Sequence, residues 1–218
     1  MADDDMLSWD ESVFRDEHVL ELDYLPEAFL HRDEQMETLK YALRPAIRGS
    51  RPLNVMARGP PGTGKTTAVQ KLFGELAGVS DVEAIRVNCQ VDSTRYAVFS
   101  RLFEGLFEYE PPTSGISFKK LFGQITDRLV EEDEVLTVAL DDVNYLLYEG
   151  EASETLYSLL RAHEEHSGAK IGVIVVSSDL ELDVIDELDG RVQSVFRPEE
   201  VYFGAYGERE IAEILRER

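Results

Sequence analysis

Leu53-Asn54-Val55-Met56-Ala57-Arg58-Gly59-Pro60-Pro61-Gly62-Thr63-Gly64-Lys65-Thr66-Thr67-Ala68-Val69 decides the architecture of this 218-residue chain. The apolar run Leu53 to Met56 reads as a short buried strand. Val69, Leu72, Phe73 and Leu76 then share one face of a helix that Gly78 closes. Between them, Gly59 to Thr66 meets G-x-x-x-x-G-K-[ST] at every fixed position. Gly59, Gly62 and Gly64 let the backbone, Thr63 included, turn its amides inward around phosphates. Lys65 brings a point charge to the terminal phosphates, and the Thr66 hydroxyl can ligate magnesium. Thr67 and Ala68 complete a first helical turn whose free N–H groups and dipole favour an anion. An ordinary glycine-rich turn is the alternative. It leaves Lys65 unexplained, because a helix N-terminus disfavours a cation.

Working outward, strands and helices alternate. Upstream, Met36, Leu39, Leu43 and Ile47 recur at helical spacing, and Gly49 with Pro52 ends that helix. Downstream, Ala84 to Val87 reads as a second strand. Phe99, Leu102, Phe103 and Leu106 mark a helix opened by Ser93 or Thr94. A further helix carries Phe118, Leu121, Phe122, Ile125 and Leu129. Val135 to Leu140 is a third strand, Leu156, Leu159 and Leu160 mark a helix, and Ile171 to Val176 is a fourth strand. Val201 to Phe203 is a weaker fifth. The pattern predicts an α/β fold with a mostly parallel sheet covered on both faces. A last helix from Gly207, with Ile211, Ile214 and Leu215, has little after it to pack against. This suggests that the chain stops at the opening of a second domain.

Composition narrows the function classes. A hydrophobic share of 43% can build a core, yet 22 basic residues against 44 acidic ones give a net charge of −22. The acid is spread along the chain, and only six of the cations are lysine. Such a surface resembles that of proteins from salt-loving cells, where molar salt shortens the Debye length to about 3 Å and screens self-repulsion. An ordinary acidic protein is the alternative. The single cysteine, Cys89, cannot form an internal disulfide, and no basic stretch followed by an apolar core opens the chain, so it reads as cytoplasmic. No apolar run approaches the roughly 20 residues that span a bilayer, which excludes membrane insertion.

A phosphate loop needs a carboxylate at the end of a neighbouring strand, and Leu136-Thr137-Val138-Ala139-Leu140-Asp141-Asp142 supplies one. Asp141 is positioned to hold magnesium together with Thr66, through water by the chemistry of that ion, which keeps much of its hydration shell. Asp142 stands where nucleotide hydrolases often have a glutamate that orients the attacking water. With one methylene fewer it predicts slow hydrolysis; a solvated loop carboxylate is the other reading. Ser178, in Ser177-Ser178-Asp179 after the fourth strand, is the candidate polar residue beside the γ-phosphate, or part of a strand-ending turn. His163-Glu164-Glu165-His166 lacks the i, i+4 spacing of a zinc pair and reads as a solvated helix end. Cys89 reads as a small buried residue at a strand end.

Several strings together resemble one family. Tyr24-Leu25-Pro26-Glu27 with Phe29-Leu30-His31-Arg32-Asp33-Glu34-Gln35 opens the resemblance. Val87-Asn88-Cys89-Gln90, Thr94-Arg95-Tyr96, Gly115-Ile116-Ser117 and Arg191-Val192-Gln193-Ser194 leading to Val201-Tyr202-Phe203 continue it. In this order they are similar to the archaeal replication initiators related to the eukaryotic origin recognition complex and the cell-division-cycle loader, which are AAA+ ATPases. The resemblance runs from about Phe14 to Arg218. It implies a P-loop AAA+ three-layer sandwich with a five-stranded sheet, truncated at the start of a helical lid. The divisions it implies are an acidic tail over 1–13, a nucleotide-binding base domain over 14–204 and the first lid helix over 205–218.

By position, the resemblance implies that the segment from Tyr24 to Arg32, with Tyr24, Leu25 and Arg32, lines the adenine pocket of ATP or ADP. Tyr206 and Arg218 would close over the nucleotide, which stacking on a purine and pairing with phosphate oxygens make chemically reasonable. The helical region from about Thr94 to Ser117 resembles the insertion that touches origin DNA. The chain departs from the family in having Asp142 for Glu, Ser178 for Asn, and Val195 where an arginine finger follows Ser194, with Arg197 two positions on. All three departures weaken hydrolysis. The resemblance also implies partners: origin DNA, engaged mainly through a winged-helix domain absent from this chain, and a replicative helicase or other initiator subunits. Two alternatives remain, a hydrolysis-deficient regulatory module acting through protein partners and a small-molecule phosphotransferase. The latter lacks a second arginine-rich lid for its acceptor.

Overall fold

The computed structural model describes residues 18–21, 24–79, 81–112 and 116–217. The acidic tail over 1–13, Phe14, Gly115 and Arg218 lie outside the described residues. Five strands, β1 (Val55–Arg58), β2 (Val82–Asn88), β3 (Val135–Asp141), β4 (Lys170–Ser177) and β5 (Glu199–Tyr202), form one sheet in the order β2-β3-β4-β1-β5. All four pairings are parallel, so the expected mostly parallel sheet is parallel throughout. The helices are α1 (Asp33–Leu43), α2 (Lys65–Leu76), α3 (Arg95–Phe107), α4 (Phe118–Glu131), α5 (Asn144–Tyr148), α6 (Ala152–Leu160), α7 (Ala162–Glu165), α8 (Gly190–Gln193) and α9 (Glu208–Glu217).

The central strands β3, β4 and β1 are buried on both faces, as strands of parallel sheets are. On one face Val55, Ala57, Ala139, Ile174 and Val176 pack with α1 and α2. On the other, Met56, Leu136, Val138, Val173 and Val175 pack with α3, α4 and α6. Each central strand therefore sends alternate residues to different cores, whereas the edge strand β5 buries only Val201. In the second core Phe99 meets Phe118 and Phe122 edge-on at 5.0 and 5.5 Å between centroids, which fixes α3 against α4. Thr94 caps α3 by accepting from the Ala97 amide, and Ser117 caps α4 by accepting from the Lys120 amide.

Several details differ from the sequence reading, among them the second strand, which runs Val82–Asn88 rather than Ala84 to Val87. Ile47 is 55% exposed rather than part of a core-facing stripe. Pro45 has no N–H to continue the α1 ladder, so the chain tightens into a 3-10 turn, Ala46–Arg48, that buries Ala46 instead. The first strand begins at Val55 rather than Leu53, because the Leu53 amide is tied to the Ala42 carbonyl and the Asn54 side chain accepts from the Val173 amide. The fifth strand is Glu199–Tyr202, and the short helices α5, α7 and α8 show no period that a sequence could display.

Candidate functional site

The site lies at the carboxyl ends of β1, β3 and β4, where open parallel sheets place their ligands. The strand order sets it up: β4 lies between β1 and β3, so the tip carrying Ser178 falls between the phosphate loop and the acidic strand end. The loop leaves β1 at Gly59 and enters α2 at Lys65, with Gly62 and Gly64 at φ 73° and 91°. These backbone angles favour glycine. A side-chain carbon at Gly59 would collide with the Phe203 carbonyl beyond β5.

Lys65 is 5% exposed, and its Nζ donates to the Gly59 and Pro60 carbonyls at 2.8 Å each. Burial lowers its pKa, opposed by the charges of Asp142 and Asp141. The Thr66 hydroxyl donates to Asp141 Oδ1 at 3.2 Å, so the two metal candidates already touch. The other oxygen of Asp141 accepts from Arg86 of β2 at 2.7 Å. Arg86 was not singled out in the sequence. A cation within the apolar run Ala84 to Val87, two positions before the residue that pairs with Asp141, is the signal that points to it.

Asp142 lies one residue past β3 with φ 54°, a left-handed conformation that Asp and Asn adopt more readily than Glu. Its Oδ1 accepts from the Ser178 hydroxyl at 3.1 Å. The two residues proposed beside the γ-phosphate are therefore bonded to one another. Val195 packs against the larger core and Arg197 is exposed.

These groups open onto a cavity of about 680 Å³, within the range of small-molecule sites. Gly62 to Thr67, Asp142 and Ser178 line one end. Tyr24, Pro26 to Leu30, Tyr206 and the apolar face of α9, Ile211, Ile214 and Leu215, line the other. The sequence pattern identified that face as an apolar stripe without assigning it a surface to cover. Gly59, Ala68, Leu25, Arg32 and Asp141 are not on the lining; Ala68 is fully buried, Asp141 is buried behind Thr66, and Leu25 is 40% exposed. Arg32 is buried and donates to the Thr63 and Gly204 carbonyls at 3.0 and 2.6 Å, with its guanidinium 3.8 Å from the centroid of the Tyr206 ring. Burial raises the Tyr206 pKa against the opposing Arg32 charge.

Elsewhere, Cys89 is buried and its thiol pKa is pushed up, first by burial and then by Asp141 and Asp142. His163 contacts Arg51 and His166 contacts Asp127. Among the described residues no group of three or more His, Cys, Asp or Glu could hold a metal. No helix among them is long and apolar enough to cross a membrane.

Comparison with known proteins agrees with this geometry. Residues 48–185 match the family described as AAA domain. The ORC1-type DNA replication protein 3 of Haloarcula marismortui is 80% identical over 216 residues, which are 99% of this chain and 58% of that protein. The Aeropyrum pernix ORC1 protein, solved in complex with DNA, superposes with a TM-score of 0.80 at 26% identity, over 93% of this chain and 52% of that one. The Aeropyrum pernix ORC2 protein, solved in ADPNP-ADP complexes, gives 0.78 at 27% identity, over 94% and 55%. The chain thus spans little more than half the length of these relatives. It belongs to the AAA-domain family, and its relatives there are the ORC1-type replication proteins of archaea.

Proposed function

We propose that the chain binds ATP or ADP with magnesium in this cavity, as the nucleotide-binding module of an ORC1-type replication initiator whose nucleotide state switches origin recognition or helicase loading. One observation carries the reading. Thr66 of the phosphate loop, on the lining of a cavity large enough for a nucleotide, is hydrogen-bonded to the buried strand-end carboxylate Asp141. The loop amides and Lys65 hold the phosphates, and Tyr24, Phe29 and Tyr206 offer rings to the base. The solved relative in ADPNP-ADP complexes supports the same ligand. The donor set fits magnesium: a hydroxyl and a carboxylate, both hard oxygen ligands, are in contact and leave positions for water and phosphate. When bound, the ion neutralises charge on the transferring phosphates. Asp142 polarises the attacking water from a short side chain, and Ser178 holds Asp142, so turnover is slow. Calorimetry with saturating ATP and magnesium in molar KCl tests the binding. Heat and a higher melting temperature are expected, and the absence of both would overturn the reading.

A second reading, a hydrolysis-deficient module acting through protein partners, is favoured by the Ser178–Asp142 bond, which commits the Ser178 proton to a carboxylate. Single-turnover hydrolysis with and without DNA separates the two. Acceleration by DNA supports the initiator, and no turnover in either condition supports the module.

A further inference from the structure

Arg32 is 5% exposed, and among the described residues no carboxylate pairs with it. A buried charge persists only where its surroundings compensate it. Here the compensation is divided between two parts of the molecule. Nε donates to the Thr63 carbonyl of the phosphate loop at 3.0 Å. Nη2 donates to the Gly204 carbonyl at 2.6 Å, and the guanidinium lies over the Tyr206 ring, both in the segment that leads into α9. The remaining bond, from Nη1 to the adjacent His31 carbonyl at 3.0 Å, fixes the fork itself. The loop meets the same segment twice more: Gly59 abuts the Phe203 carbonyl, and a side-chain carbon at Gly64 would lie 3.2 Å from the Tyr206 hydroxyl.

The Thr63 carbonyl and the Gly64 N–H belong to one planar peptide unit. A phosphate that accepts from the loop amides orients that plane. The oxygen on its far side is the one Arg32 holds, and Arg32 also holds Gly204 and Tyr206.

We propose that Arg32 is a positioning residue that joins the phosphate loop to the hinge of α9, so that filling the loop with phosphate sets the position of α9 even without base or ribose. The inference rests on the nucleotide-binding reading. Lysine cannot replace the arginine, because one point-like ammonium cannot reproduce the planar fork that reaches Thr63, Gly204 and the ring together. Because coupling is reciprocal, whatever loosens α9 also weakens phosphate binding.

The test uses the full chain in molar KCl with spin labels on Lys119→Cys of α4 and Arg216→Cys of α9, both exposed positions. Cys89 is buried and takes no label in the folded protein. The ligands are magnesium with inorganic tripolyphosphate, which lacks adenosine, and magnesium with ATP; calorimetry reports binding independently. The unsubstituted hinge is expected to shift its inter-label distance with tripolyphosphate. Arg32→Lys and Tyr206→Leu are expected to lose the shift at saturation and to bind tripolyphosphate on the order of tenfold more weakly, whereas Tyr206→Phe keeps it. Should Arg32→Lys fail to fold, Arg32→Gln, which is too short to reach both the Thr63 and Gly204 carbonyls, takes its place. A full shift at saturation in Arg32→Lys, or in Arg32→Gln where that stands in for it, or bound tripolyphosphate that moves nothing in the unsubstituted hinge, overturns the inference while nucleotide binding stands. Binding of neither ligand overturns both.

Discussion

At the scale of single residues, Asp142 lends itself to a clean substitution. Asn tolerates the left-handed backbone there and retains an Oδ1 that can accept from Ser178, so Asp142→Asn removes the charge and little else. The variant is expected to abolish ATP turnover in a single-turnover assay while leaving calorimetric ATP affinity within about twofold, because general-base catalysis contributes about 10²- to 10⁴-fold. Unchanged turnover would show that Asp142 is idle. The loop, Asp141 and Asp142 were legible in the sequence because a backbone turn of that kind admits few residue types and the strand end follows directly from the apolar run. Arg86 and the burial of Arg32 were not legible. Both depend on partners far along the chain, Asp141 for one and Thr63, Gly204 and Tyr206 for the other, and no local pattern encodes such distances.

At the scale of elements, the long amphipathic helices and the apolar strands were readable because their periods run over several turns or pleats. The short pieces around them answer to local hydrogen-bond chemistry instead. Pro45 withdraws one donor and turns a longer predicted helix into α1 plus a 3-10 turn. The same chemistry predicts that Thr94→Ala, which removes the acceptor for the Ala97 amide at the start of α3, costs about 1 kcal/mol in urea unfolding. A loss below about 0.3 kcal/mol would mean that the core contacts of Phe99 and Leu102 fix the helix start unaided.

For the whole molecule, charge dominates. Net −22 on 218 residues predicts a melting temperature that rises steeply between low salt and molar KCl, since each kcal/mol of relieved repulsion is worth about 2–4 °C in a domain of this size. Equal stability in both would remove the salt-adapted reading. DNA binding by this chain alone is expected to be weak or undetectable in a mobility shift at high salt. Two arginines of the DNA-facing candidate region are already spent on carboxylates, Arg95 on Glu154 and Arg101 on Asp92 and Glu104. Tight binding under those conditions would overturn that expectation. The strand order carries a consequence for synthesis as well. Val55 pairs with Ile174 on one side and Glu199 on the other, so the nucleotide loop leaves the ribosome well before either flank of its stem exists. The nascent chain must keep β1 from the wrong neighbours through most of its translation, and competence to hold a ligand arrives late and all at once.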